Sequence, residues 1–563
     1  MKKSWVVHKE NPKLRDKLSK ALGISPITSQ VLINRGIENE AEAELYLKST
    51  LFDLPSPFLL KDMDKAVNRI MQAIERGEKI AVYGDYDVDG VTSTALLYHF
   101  LKGFGALAMY YNPDRLTEGY GVNFGAVERL KQQGVSLIIS GDCGITAWRE
   151  IEEAKKIGVD FIVTDHHTPP EVLPDAVAVL NPHQPGCAYP GKEIAGVGVV
   201  FNLVMGLRRV LRDGGFFKRK EPNLGDYLDL VALGTVADCA SLTNVNRVLV
   251  REGIKRMHRP KRAGIRALKE VSGLSGEIDA GDIGFRLGPR VNASGRLNSA
   301  REAVELLISE DMGQSRELAK TLNSENQKRQ AIEADIFSEA ITMVESSPEL
   351  SGALSIVLES QKWHPGVIGI VASKIAGWCN KPAVLIAVGE DGVGKGSGRG
   401  VEGLNLYDAL AECKELFVDF GGHELAAGLS IREENIDAFK TRFEEAVAKA
   451  GGHFPRKIHI DGEVDMAEVD ESLLKELDTL SPYGIGNPEP VFVAKCLTVV
   501  SSRVLKEKHL SITVSSGGRT YNAIWFNFKG SPDLQGEIDV VFTPEFNVWN
   551  GKKEVRIRVL DID

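Results

Sequence analysis

The chain has 563 residues, 43% of them hydrophobic, with a formal net charge of −10. That length exceeds a single hydrophobic core and predicts about three or four domains, and the composition excludes a disordered or fibrous chain. No stretch approaches ~18 consecutive apolar residues, MKKSWVVHKENPKL lacks a signal-peptide apolar run, and Cys143, Cys187, Cys239, Cys379, Cys413 and Cys496 form no CxxC pair, which predicts a soluble protein of the reducing cytoplasm without structural zinc.

Residues 1–60 read as a leader, with a helix around Glu40–Leu47 and the apolar LFDLPSPFLL, expected to pack on the domain that follows. Lys61–Arg76 has helical periodicity. Ile80–Val82 then reads as a buried strand and Val91–Phe104 as a helix. Between them stand Asp85, Asp87 and Asp89. Three carboxylates so close repel one another and raise each other's pKa unless a cation neutralises them, and acidic oxygens before a glycine suit a hard divalent ion. An EF-hand loop is excluded, because its closing glutamate position is Leu96.

Two further apolar strands end in polar clusters. Ser136–Ser140 leads into Gly141 and Asp142, and Phe161–Thr164 into Asp165, His166 and His167. Helical segments at Ala126–Gln133 and Trp148–Lys156 alternate with them. The alternation predicts a parallel sheet, whose ligands gather at the carboxyl ends of its strands. A fourth strand, Ala176–Leu180, precedes NPHQPGCAYPGKEIAGVGV, which reads as an irregular surface segment whose His183 and Cys187 are not ligands. Asp226–Ala240 reads as a helix carrying Asp238 near its end.

The lysines and arginines from Lys255 to Lys269 are either a solvated helix face or a polyanion contact. Arg286, Arg290 and Arg296 follow among glycines, a setting for bidentate phosphate contact. Ser299–Ser346 reads as helical, with a long run of mixed charge that looks like a connector. A second lobe then begins with the strand Leu354–Leu358, the helix VIGIVASKIAGW and the strand AVLIAV. GEDGVGK, from Gly389 to Lys395, is not a P-loop, because Gly396 stands where Ser or Thr is required. Its glycines predict backbone amides open to a phosphate, beside Ser397 and Arg399. The β-rich residues 455–563 give about five strands, as a small barrel requires, with Trp525, Phe526, Phe528, Trp549, Arg503, Lys506 and Lys508 as candidates for holding a single strand.

GDYDVDG, SGDCG, TDHH and VADCASL, in that order, resemble the DHH phosphoesterase superfamily, named for the motif at Asp165, His166 and His167. RLGPRVNASGRL, WHPGVIGIVASK, GSGRG and FGGHELAAG extend the resemblance, over nearly the whole chain, to a bacterial exonuclease branch. The resemblance implies an α/β fold of two lobes. These are a parallel-sheet DHH domain at 61–298 and a DHHA1-type domain at 349–452, joined by a connecting helix at 299–348, with the leader at 1–60 and an OB-fold barrel at 455–563. A single strand would thread between the lobes.

It further implies two Mn2+ or Mg2+ ions held by Asp87, Asp89, Asp142, His166 and Asp238, with Asp142 bridging both. Asp85 and His167 would act beside them, Asp165 would orient His166, and Cys143 and Cys239 would be small packing residues. Arg115, Arg290, Arg296, Ser397, Arg399 and His423 would bind substrate. The implied activity is 5′ to 3′ hydrolysis of single-stranded DNA to mononucleotides, in repair and recombination. A monomer is implied, with a single-strand-binding protein and a RecQ-type helicase as partners. The acidic net charge allows this, because such a centre needs carboxylates and only a local basic groove. Two alternatives stay open, a phosphoesterase of short oligonucleotides or cyclic dinucleotides and a non-catalytic DNA-binding scaffold. The barrel and connector argue against the first, the intact ligand positions against the second.

Overall fold

The computed structural model describes residues 3–114, 118–119, 121–217, 221–297, 299–528, 534–549 and 552–563. The chain forms two compact units, Met1–Trp5 with Ser324–Ile458, and Val6–Asn323 with His459–Asp563.

In the larger unit the leader makes three helices, α1 (Pro12–Leu22), α2 (Pro26–Asn34) and α3 (Glu40–Lys48). Side chains of Asn11, Ser25 and Asn39 cap their first amides, which have no partner inside the helix. The amphipathic α4 (Met63–Glu75) follows and buries Ala66, Val67 and Ile70. Next come β1 (Lys79–Gly84), α5 (Val88–Gly103), β2 (Leu107–Tyr111), α6 (Phe124–Gln132), β3 (Val135–Gly141), α7 (Trp148–Lys156), β4 (Asp160–Thr164) and β5 (Ala178–Leu180). The five strands are parallel, in the order β2-β1-β3-β4-β5.

Strand alternation sends Ile80, Val82, Leu137 and Ile139 into one core and Ala81, Tyr83, Ile138 and Phe161 into another. Burial on both faces explains why these strands read as unbroken apolar runs. Register then places the chemistry. Gly84 pairs with Gly141, and Thr164 with Leu180, so Asp85, Asp142 and Asp165 leave the same edge of the sheet.

The segment expected to be irregular is so through Ala195, and its last four residues open an 18-residue helix, α8 (Gly196–Asp213), buried along most of its length. The expected helix at 226–240 is a 3₁₀ turn, Leu224–Tyr227, followed by α9 (Leu228–Ala237), with Asp238 as its C-cap. Then come α10 (Asn244–His258), α11 (Ala263–Val271), α12 (Gly288–Leu297), α13 (Arg301–Ile308) and α14 (Met312–Ser346).

The basic run around α10 and α11 is largely neutralised within the fold. Lys255 pairs with Glu252, Lys261 with Asp226 and Arg262 with Asp229, while the buried Lys269 donates to the carbonyls of Met257 and Gly276. α14 runs from the larger unit into the smaller at Ser324, and buries Asn326, Arg329 and Glu333. Arg329 pairs with Glu333 and bonds Asn326 Oδ1 at 3.0 Å.

The smaller unit contains β6 (Ile356–Ser360), α15 (Ile368–Cys379), β7 (Ala383–Val388), β8 (Val393–Arg399), β9 (Phe417–Gly422), β10 (Ala426–Arg432) and α16 (Ile436–Lys449). Its sheet runs β9-β10-β8-β7-β6, parallel only between β6 and β7. Of the glycine-rich stretch expected as an amide-lined loop, Gly389–Gly392 is a turn, while Val393, Gly394 and Lys395 already belong to strand β8, which is paired on both sides. The strand's glycines answer a close approach, since a Cβ on Gly394 would lie 2.6 Å from Ile386 Cγ2 and one on Gly396 2.5 Å from Leu429 Cδ1.

The C-terminal part of the larger unit has α17 (Glu471–Asp478) and five long strands, β11 (Phe492–Leu505), β12 (His509–Ser516), β13 (Arg519–Trp525), β14 (Glu537–Trp549) and β15 (Lys552–Ile562). They pair as β11-β12-β13-β15-β14, and β14 returns to β11, closing a barrel. Leu18, Val31, Leu32 and Ala43 of the leader share the barrel's core, and Glu476 accepts from Ser25 and Thr28. The leader also packs on the catalytic lobe, where the carbonyls of Tyr46, Leu47 and Ser49 accept from Arg247 and Arg251 of α10 and Leu51, Leu54, Phe58 and Leu60 reach its core.

Trp525 and Phe528 pack against the barrel's core, whereas Phe526, Arg503, Lys506 and Lys508 are exposed; the Trp549 side chain lies outside the described residues. Among the described residues, no helix is long and apolar enough to cross a membrane.

One close approach ties this packing to the acidic loop. A Cβ on Gly234 of α9 would stand 2.3 Å from Thr92 Oγ1, 2.8 Å from Val197 Cγ1 and 3.0 Å from Asp89 Oδ1. Gly234→Ala is therefore expected to destabilise the larger unit by about 1–3 kcal/mol through overpacking. A thermal melt checks this, and an unchanged midpoint would show that α5, α8 and α9 are not tightly seated there.

Candidate metal centre

The acidic loop is shaped by the start of α5. Asp87 is the N-cap of that helix and accepts the Gly90 amide at 3.0 Å. Asp89, one residue inside the helix and 1% exposed, turns towards the N-terminus of α8. Its Oδ2 accepts from the Gly196 amide at 2.7 Å and its Oδ1 from the Val197 amide at 2.8 Å. Ala195, at the head of α8, supplies no side-chain cap. The carboxylate from α5 takes that role and meets the positive end of the helix dipole.

Asp142 follows β3 in a left-handed conformation, φ 64°, with its amide donating to Thr164 O at 3.0 Å. Its side chain is 1% exposed. His166 Nε2 lies 3.1 Å from Asp142 Oδ1, 3.8 Å from Asp238 Oδ2 and 3.9 Å from Asp89 Oδ2. Neither Asp142 Oδ1 nor His166 Nε2 has a hydrogen-bond partner among the described residues, although both are buried. Buried polar atoms without partners are rare and need an explanation, and an ion is one.

Three overlapping groups each bring ligand atoms within 4.8 Å of one another: Asp142 with His166 and His167, Asp89 with His166 and Asp238, and Asp85 with Asp87 and Asp142. Asp142 and His166 each belong to two. Carboxylate oxygens with imidazole nitrogen fit Mn2+ or Mg2+, so the residues present suit the implied ions.

Burial pushes Asp89 up to about 7, with the charge of Asp87 adding to it. Burial and the charges of Asp89 and Asp87 push Asp238 up to about 9, and Asp142 is raised well above the carboxylate range by burial and the same two neighbours. Burial and the charge of His167 draw His166 down to about 4, leaving its ring neutral and able to ligate.

The Asp165–His167 pair behaves oppositely. Burial opposes charge on His167, but its bond to Asp165 and that residue's charge raise it to about 9. Burial likewise opposes the charge on Asp165, yet the His167 ring and the amides of Ile145 and His167 hold its carboxyl below the usual value. Asp165 Oδ1 meets His167 Nδ1 at 2.7 Å and touches His166 only through its backbone amide, also at 2.7 Å. The ring that Asp165 orients is that of His167, a correction to the expected role.

The remaining candidates are dispersed. Arg290 donates to Asn323 Oδ1 at 2.9 Å and to Arg286 O at 2.6 Å, and Arg296 is half-buried in the last turn of α12. Arg115 lies outside the described residues. In the smaller unit, Arg399 Nη1 donates to Ser397 Oγ at 3.1 Å and to Gly398 O at 2.7 Å. It pairs with no carboxylate among the described residues, and burial lowers its pKa. His423 is exposed where β9 turns into β10. Cys143 is buried, as expected, but Cys239 is exposed with φ 61° and is not a packing residue.

The sequence reading missed the α8 amides and two asparagines, Asn112 and Asn292, that touch the acidic loop. An 18-residue helix opening on Ala195 without a cap was the available signal for the first.

A parallel sheet with carboxylates and histidines at one edge defines a metallophosphoesterase of the DHH type. The DHH family N-terminal domain matches residues 79–235, the DHHA1 domain 352–449 and the RecJ OB domain 460–561. The chain is 36% identical to the single-stranded-DNA-specific exonuclease RecJ of Bacillus subtilis (strain 168), over 100% of this chain and 71% of that protein. It is similar to the crystal structure of RecJ in complex with Mn2+ from Thermus thermophilus, with a TM-score of 0.85 and 31% identity, over 100% of this chain and 79% of that one. The Mg2+ complex from the same organism gives 0.79 and 29%, over 99% and 78%. The chain belongs to the RecJ family.

The raised carboxyls fix a pH dependence. A carboxyl or histidine whose folded pKa exceeds its unfolded value costs stability as pH rises between the two. From pH 6.5 to 9, Asp238 and His167 act in that direction throughout and Asp89 up to about 7, while the lowered His166 contributes only below 6.5. With chelator, the thermal midpoint is expected to fall over this window. Saturating Mn2+ should reverse the fall, stabilising by ~2.7 kcal/mol at 100 times its dissociation constant. Equal midpoints with and without Mn2+ at pH 9 would contradict the assignment.

Proposed function

We propose that the chain hydrolyses single-stranded DNA from its 5′ end to 5′-mononucleotides, using two Mn2+ or Mg2+ ions. The observation that carries this reading is the buried pair of Asp142 Oδ1 and His166 Nε2, 3.1 Å apart, without hydrogen-bond partners among the described residues and set among Asp85, Asp87, Asp89 and Asp238. The relatives named for this activity, and solved with these ions, support it.

Bound divalent ions at such a centre act as Lewis acids on a phosphodiester and make water nucleophilic at neutral pH. The chain's own residues do the rest. Asp87, Asp89, Asp142, His166 and Asp238 would hold the ions, and Asp142 belongs to two of the ligand groups. Neutral His166 offers a lone pair without losing a proton first. Asp165 accepts at His167 Nδ1 and keeps that ring cationic near neutrality, a charge suited to a phosphate oxygen. Asp85 stands 1% exposed beside Asp87 and Asp142, placed to act with them.

Arg399 and Ser397 receive the 5′-terminal phosphate. A guanidinium desolvated without a carboxylate is poised for an anion brought by the substrate, and its fork matches a phosphate. Arg115, Arg290, Arg296 and His423 complete the proposed substrate set, Arg290 meeting only the neutral acceptors Asn323 Oδ1 and Arg286 O. Exposed Phe526, Arg503, Lys506 and Lys508 give the barrel a stacking and charged surface for the strand.

The division at 61–298, 299–348, 349–452 and 455–563, the monomeric state and the cytoplasmic site belong to the same proposal. So do the roles in repair and recombination and the partnership with a single-strand-binding protein and a RecQ-type helicase, all supported by kinship.

Asp142→Ala is expected to abolish cleavage while oligonucleotide binding, measured by anisotropy, stays within about twofold, on the order of the few tenths of a kcal/mol of a neutral substitution. An active variant would remove Asp142 from the centre. Arg399→Ala should slow cleavage of 5′-phosphorylated ends roughly 10- to 100-fold, the scale of a hydrogen bond to a charged group, and leave 5′-hydroxyl ends little changed. Equal loss on both ends would show general backbone contact instead.

A further inference from the structure

The acidic loop is gripped at both ends by amide side chains from distant parts of the chain. Asn112, just beyond β2, donates from Nδ2 to Gly84 O at 3.1 Å and to Asp85 O at 2.7 Å, and lies 3.3 Å from Thr94 Oγ1. Its Oδ1 is buried without a hydrogen-bond partner among the described residues. The reversed amide would set that oxygen against two carbonyl oxygens, so the donor direction follows from its neighbours. At the loop's other end Asn292 of α12 uses the opposite polarity, its Oδ1 accepting the Val88 amide at 3.1 Å. That amide is one of the free donors at the start of α5.

We propose that Asn112 and Asn292 are positioning residues that set Asp85 and Asp87 for metal binding, Asn112 as an obligate donor and Asn292 as an obligate acceptor. The inference rests on the metal-centre reading and deepens it. Both contacts fix backbone rather than carboxylate, so the loop is held without consuming a ligand oxygen. A neutral amide suits both places. A lysine or arginine would pair with the carboxylates and compete with the ions, and an added acid would increase the repulsion among them. The two anchors bracket Gly84–Val88, the segment that carries Asp85 and Asp87.

The test is Mn2+ binding, followed through the free-ion paramagnetic resonance signal at pH 8, with the thermal midpoint of each variant recorded alongside. Asn112→Leu and Asn292→Leu should weaken binding ~10- to 100-fold, the scale of losing a residue that supports metal ligands. Substitution by aspartate separates the two polarities under the same added charge. Asn292→Asp keeps an acceptor for the Val88 amide and should bind Mn2+ much as the parent does. Asn112→Asp supplies at most one donor where the Asn112 amide supplies two, and should bind Mn2+ more weakly than Asn292→Asp. Leucine variants that bind like the parent, or aspartate variants that behave alike at both positions, would overturn the proposal. A parent protein that binds no Mn2+ would overturn the metal-centre reading itself. Because the two positions lie on different elements, a variant that fails to fold at one leaves the other decisive.

Discussion

The mutual repulsion of buried carboxylates is the constraint around which the larger unit is arranged. Asp85, Asp87 and Asp142 place oxygens within 4.8 Å of one another, and Asp89 and Asp238 do so around His166. At an effective dielectric of ~20, two charges at that separation repel by about 3–4 kcal/mol, and several pairs are present. The α8 dipole meets Asp89, but such a contact is worth about 0.3–1 kcal/mol, or ~2 when partly buried. The fold therefore eases Asp87 and Asp89 through amides at helix starts and leaves the remaining repulsion to protonation or to bound cations. The raised values of Asp89, Asp142 and Asp238 are the protonation side of that choice.

The same logic links the two units without any reference to their arrangement. One unit concentrates negative charge at the edge of a parallel sheet. The other keeps a desolvated guanidinium, Arg399, on an antiparallel strand beside Ser397. Cations at the first centre suit a phosphodiester, and the guanidinium of the second suits a phosphate oxygen. The barrel adds exposed basic and aromatic side chains suited to a longer strand, which favours the exonuclease reading over one on dinucleotides.

Much of the centre was legible because it follows short apolar strands, whose ends are where an α/β sheet presents its ligands. Asp85, Asp142 and Asp165 could be placed from hydrophobic runs alone, and register brought them to one edge. Where sequence misled, tertiary packing had removed the local signal. The cap of α8 is a carboxylate from α5, far away in the chain, so that contact could not be read from neighbouring residues. The β8 glycines looked like a phosphate loop because their small size serves close packing under Ile386 and Leu429. Lys255, Lys261, Arg262 and Lys269 left a solvated face and a polyanion contact equally open because their partners, Glu252, Asp226, Asp229 and backbone carbonyls, come together only in the fold. Asn112 and Asn292 could not be singled out, since a lone asparagine carries no pattern until the backbone group it contacts is known.

The central claim is that metal held at this sheet edge cleaves a single strand from its 5′ end. The most direct measurement digests single- and double-stranded DNA, labelled at either end, with and without Mn2+, and resolves the products by length. The account predicts early release of a labelled mononucleotide from 5′-labelled single strands, progressive shortening of 3′-labelled ones, little action on duplex and none with chelator. Intact long strands alongside cleaved dinucleotides, or digestion that persists without divalent ions, would contradict it.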